Sequence, residues 1–66
     1  MELPLPETPA HKLDRMISCV SREIKKRRAV YPRLVSAGKM SETQMAYEIN
    51  TMTDVLTVLQ GARKAV

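Results

Sequence analysis

Side chains capable of covalent or acid–base chemistry are scattered along this sequence without the pairings that such chemistry needs. His11 and Cys19 are the only soft metal ligands among its 66 residues, too few for a tetrahedral zinc site, so no metal or cofactor is expected. A single cysteine also excludes a disulfide within the chain, and Cys19 reads as a small apolar filler. His11 has no acid and nucleophile at matched spacing, and Ser18, Ser21 and Ser36 lack a placed base. Gly38 and Gly61 stand alone, so no glycine-rich loop is available to cradle a phosphate. Tyr47 and Glu48 could serve as acid and base only if a second chain completed the site, and an ion pair from Glu48 to Arg27 or Arg28 is the simpler use. The expectation is a protein that is not an enzyme.

Charge is the sharper signal. Lys25, Lys26, Arg27 and Arg28 are consecutive, with Arg33 and Lys39 beyond them and Tyr31 in their midst. Four consecutive helical residues sweep most of the circumference, so this run makes a collar rather than a flat patch. Lys25, Arg28, Tyr31, Arg33 and Lys39 are the candidate contacts for a partner or an anion: nucleic-acid phosphates, a nucleotide or an acidic protein surface. The competing reading is a solvated face, with Glu23 reaching Arg27 at i+4 and Glu42 or Glu48 crossing from the following element. Arg27 itself could snorkel, pair with an acid or line an interface. Only Tyr31 and Tyr47 could stack on bases, which disfavours single-stranded nucleic acid, although a sequence-independent binder of duplex backbone stays open.

The elements that must position these groups are two amphipathic helices. Residues 1 to 8, with Pro4 and Pro6, read as an extended arm and not as a secretory leader. Thr8 is a competent N-cap and Pro9 suits the first helical position, so a first helix should run from Pro9 to about Val30. Its stripe is Leu13, Ile17, Val20, Ile24, Arg27, Tyr31 and Leu34, spaced four and three alternately. Pro32 should stop or kink it, leaving residues 32 to 37 as a short extension or a bent last turn. Gly38 supplies a left-handed closing position, and Lys39 sets a cation beside the free carbonyls. Ser41 and Gln44 form a capping box, with Met40 and Met45 as a hydrophobic staple. A second helix from Glu42 to about Gln60 carries Met45, Ile49, Met52, Leu56 and Leu59 in the same alternation, with Gly61 closing it and Arg63 and Lys64 favouring its dipole.

These signals give an all-α antiparallel helical hairpin, one domain over residues 9 to 66, turning between Pro32 and Met40. Chains this short bury little surface, and two helices cover only a narrow seam of each other, so self-association into a four-helix bundle is expected. The formal charge of +4 is unevenly spread: residues 12 to 39 hold nine Lys or Arg against Asp14 and Glu23, while residues 40 to 60 hold Glu42, Glu48 and Asp54 and no base. That division attracts the two helices to each other and leaves a positive excess for an acidic partner. No apolar run approaches the roughly 20 residues of a membrane span, which leads to a cytoplasmic expectation.

The tract RRAVYPRLVSAGKMSETQMAYEINTM resembles a family of very short proteins encoded in bacteriophages and prophages. The resemblance rests on Arg27, Arg28, Val30, Tyr31, Pro32, Arg33, Gly38, Lys39, Met40, Ser41, Ala46, Glu48, Ile49 and Met52, with Leu34 where many relatives carry tryptophan. It implies a phage or prophage origin and action in the host cell. Small phage proteins of this kind are often host-takeover or anti-defence factors that bind a host protein or sequester a signal.

Overall fold

The computed structural model describes residues 7–66; the first six positions of the expected arm lie outside the described residues. Two helices, α1 (Pro9–Ser36) and α2 (Glu42–Lys64), pack against each other as an antiparallel hairpin. α1 begins where the sequence places its cap: the Thr8 hydroxyl accepts from the His11 N–H at 3.1 Å, and Pro9 follows at the first helical position. Glu7 folds back to Arg15 at 3.1 Å.

Pro32 does not end the helix at Val30. α1 runs through it to Ser36. Proline withholds one bond, the one due to the Arg28 carbonyl, and both Pro32 and Arg28 lie on exposed positions where water can replace it. Beyond the proline, Leu34 and Val35 are half-buried, so packing continues past the missing bond and carries the helix with it. The end comes at Gly38, whose φ of +73° is the left-handed conformation expected there. Around it the Gly38 N–H donates to the Val35 carbonyl at 3.0 Å and the Lys39 N–H to the Leu34 carbonyl at 2.8 Å, the paired bonds of a Schellman closure. Lys39 therefore caps α1 through its backbone.

α2 starts three residues after Lys39. The Ser41 hydroxyl accepts from the Gln44 N–H at 3.0 Å; among the described residues no reciprocal bond from the Gln44 side chain completes the box. Met40 and Met45 are both half-buried, as a staple requires. Gly61, expected to close this helix, lies inside it with no positive φ. Within this extension Arg63 donates to the Asp14 carboxylate of α1 at 2.8 Å. Three threonines also serve their own helix, Thr51, Thr53 and Thr57 donating to the carbonyls of Tyr47, Ile49 and Thr53.

The expected stripes do face each other, but they are only half covered. Leu13, Ile17, Val20, Met45, Ile49, Met52, Leu56 and Leu59 are all of intermediate exposure, and among the described residues Ile24 alone is buried, at 6 %. The Cα envelope is 12 Å thick in its narrowest direction, one layer of helix.

Two substitutions test this account of the corner by thermal unfolding. Gly38→Ala should lose about 1 kcal/mol, because an L side chain is strained at that φ. Pro32→Ala should gain about 2 kcal/mol, the roughly 3 kcal/mol of an interior proline less the stiffness it gives the unfolded chain.

Candidate functional site: two unlike sides of the hairpin

A one-layer hairpin presents two broad sides, and helical spacing assigns residues to them. On α1 the row Met16, Val20, Glu23, Arg27, Val30 and Leu34 follows one flank of the seam, while Ile17, Ser21, Lys25 and Arg28 follow the other. Surface hollows join each flank to its counterpart on α2. On the first side Arg27 shares a hollow with Tyr47, Glu48, Thr51 and Met52, and another with Glu23, Lys26, Val30 and Tyr31. On the second, Ser21, Ile24, Lys25 and Arg28 meet Leu56 around about 370 Å³, and Ile17 meets Gln60, Arg63 and Lys64 around about 450 Å³.

Charge on the first side is internally balanced. Arg27 takes the i−4 partner out of the options its position allowed, donating to Glu23 at 2.9 Å. That hydrogen bond holds the Glu23 carboxyl below its ordinary range and raises the Arg27 guanidinium. The guanidinium also lies 5.9 Å above the Tyr31 ring, within cation–π range. Burial pushes the Tyr31 phenol up, with the Glu48 carboxylate adding to the effect. Around this polar group the same side carries Met16, Val30 and Val55, while Tyr47 and Val58, the most exposed at 72 and 70 %, turn toward the outer edge of α2.

The second side is different. Its two hollows are lined by Lys25, Arg28, Arg63 and Lys64 and, among the described residues, by no acid, over a floor of Ile17, Ile24 and Leu56. Arg63 is partly committed to Asp14 at its edge.

The five residues expected to make one recognition site are therefore dispersed. Lys25 and Arg28 share the basic side; Tyr31 is half-buried on the other, beneath Arg27; Arg33 is exposed in the last turn of α1; Lys39 is exposed in the turn. Sequence reasoning missed Arg63 and Lys64 as neighbours of Ile17, although antiparallel pairing about the corner brings the end of α2 to the start of α1. It also missed an outer ridge: Arg15, Arg22, Lys26 and Arg33 fall on one line of α1 away from the seam, all exposed. Cys19 is exposed rather than a filler, because it falls off the apolar stripe.

Among the described residues no three His, Cys, Asp or Glu side chains converge as a metal site would require, and no helix is long and apolar enough to cross a membrane. Comparison with protein-family models, curated proteins and solved structures finds no match.

The Glu23 shift sets a pH expectation. Its folded pKa lies below the unfolded value, so the stabilisation is complete above about pH 4.3 and is lost as pH falls through the lower, folded value. Helicity followed by circular dichroism should decline on acidification through that window, and Glu23→Gln should flatten part of the decline.

Proposed function

We propose that this chain is a non-enzymatic interaction protein of phage or prophage origin, which pairs with itself along the apolar side and binds and modulates a host protein in the host cytoplasm. The observation that carries the reading is the exposure of Met16, Val30 and Val55 along one flank of the seam of a single-layer fold. Exposed apolar side chains beside a half-covered seam suit an interaction site. Helices about 35 to 42 Å long and 8 to 10 Å apart offer roughly 700 Å² a side, enough for a dimer of ordinary size. A second copy is a fitting cover. Each chain carries +4, and this is the side on which the Glu23–Arg27 pair and Glu48 cancel charge, so like-charged copies approach here with least repulsion. Two hairpins joined in this way make a four-helix bundle with Val20, Met52 and Leu59 inside. The family resemblance of the Arg27 to Met52 tract supports phage origin and a host partner.

A second reading has its own observation. The outer ridge from Arg15 to Arg33 extends about 27 Å along α1 and suits the backbone of a nucleic-acid duplex.

Light scattering after size exclusion decides between them. Self-pairing predicts a dimer whose mass is the same at low and high salt. Val55→Asp with Val58→Asp should then shift the equilibrium at least tenfold toward a helical monomer, while Arg28→Glu leaves the mass unchanged. A monomer at all concentrations would overturn the pairing. Duplex binding predicts affinity falling steeply with salt and weakening in Arg22→Ala and Arg33→Ala; no binding at low salt ends that reading.

A further inference from the structure

We infer that the basic side is a docking groove for an acidic amphipathic helix of the partner protein, which lies between α1 and α2 as a third helix. This rests on the reading of the chain as a binding module, and it names the chemistry of the partner and the side that receives it.

Two features of the groove select this occupant. The floor is apolar: Ile17, Ile24 and Leu56 sit at the bottom of the two hollows, and Ile17 and Leu56 are only half covered. The rim is cationic at both hollows, with Lys25 and Arg28 of α1 at one and Arg63 and Lys64 of α2 at the other, about 17 Å further along the seam, and among the described residues no acid lines either hollow. A helix whose narrow apolar stripe enters the seam, and whose flanks carry Asp and Glu, satisfies floor and rim together. The valley between two packed helices is the shape into which ridges of another helix fit, at interaxial distances of 8 to 10 Å. Ile17 and Arg28 are eleven residues apart, about 17 Å of α1, so the groove accepts roughly three turns of the incoming helix. Nucleic acid fits less well, because phosphates gain nothing from the apolar floor and this side has no aromatic ring for base stacking. A second copy of the chain fits less well too: at +4 it brings cations to cations. Docking here leaves the apolar side free, so the groove and self-pairing are compatible.

The groove makes a definite demand on the partner. Its helix needs apolar residues at i, i+3 or i+4 and i+7, and carboxylates on both sides of that stripe.

The test uses the full chain and a fluorescein-labelled 18-residue peptide with Leu at those positions and Glu and Ala elsewhere, followed by anisotropy at physiological salt. Binding is expected with the peptide becoming helical. A scrambled peptide of identical composition should bind at least tenfold more weakly. Arg28→Glu and Lys64→Glu should each weaken binding about tenfold, while Lys12→Glu, the same charge change outside the groove, changes it less than twofold. Circular dichroism of each variant checks that the hairpin persists. Equal binding of the scrambled peptide, or an equal loss in Lys12→Glu, would reduce the groove to net charge and overturn the inference. Displacement of the peptide by a short DNA duplex would assign these cations to phosphate and overturn it as well. Light scattering on the same samples separates the two levels: a dimer that fails to bind the peptide refutes the groove and leaves the interaction module standing. A monomer that binds nothing refutes both.

Discussion

A helix in a two-helix hairpin has one neighbour, and that neighbour can cover only a seam of its circumference. Both stripes here are wider than the seam. Val30 and Met16 extend the α1 stripe, Val55 and Val58 extend that of α2, and all four remain exposed while, among the described residues, Ile24 alone is buried. The covalent and metal devices that small domains use to supplement a thin core are not offered by one free thiol and one histidine. Burial of apolar surface is the main favourable term in folding, so a chain that leaves this much uncovered gains most from an added layer. The fold and the proposed function share that origin: the surface that would complete the core is the surface that would recognise a partner.

Within that constraint, local signals do more than usual to specify the fold. The corner uses every device available to six residues: a left-handed Gly38, two crossed backbone bonds from Gly38 and Lys39, and a Ser41 cap on the next helix. Each satisfies backbone groups that a helix end leaves open, and together they turn the chain without any buried loop. At the far end, where no turn joins the helices, the Arg63–Asp14 pair closes the hairpin at 2.8 Å between exposed side chains. An ion pair so exposed contributes little to stability. It marks which turn of α2 lies beside which turn of α1, a register that the short corner sets.

The helices, their alternating stripes and the Gly38 closure were legible in the sequence because each depends on residues within a turn or two of one another. The helix ends depend on more than local preference. Pro32 reads locally as a stop or a kink, and α1 continues through it to Ser36, with Leu34 and Val35 half-buried beyond it. Gly61 reads as a terminator, yet α2 runs through it to Lys64 with no positive φ there. The candidate site was less legible for a geometric reason. Lys25 to Arg28 is one run in sequence but occupies three directions in space, with Lys25 and Arg28 on the basic side, Arg27 turned to Glu23 and Tyr31, and Lys26 at the outer ridge. The partners that give Lys25 and Arg28 their setting, Arg63 and Lys64, come from the other end of the chain.

The way Arg27 is used also explains how one basic chain can have one nearly neutral side. Its position on the stripe would put an unpaired cation toward the apolar surface, at a cost that rises with any further burial. Glu23 one turn earlier removes that cost within α1 itself, and the Tyr31 ring accepts the face of the guanidinium. Because the pair is internal to one helix, the side it occupies needs no counter-charge from outside and can be covered by apolar surface. The opposite side has no such internal acid beyond Asp14, so its cations look outward for one. A difference of one helical turn in where a glutamate stands thus decides which side of the hairpin suits a copy of itself and which suits an acidic stranger.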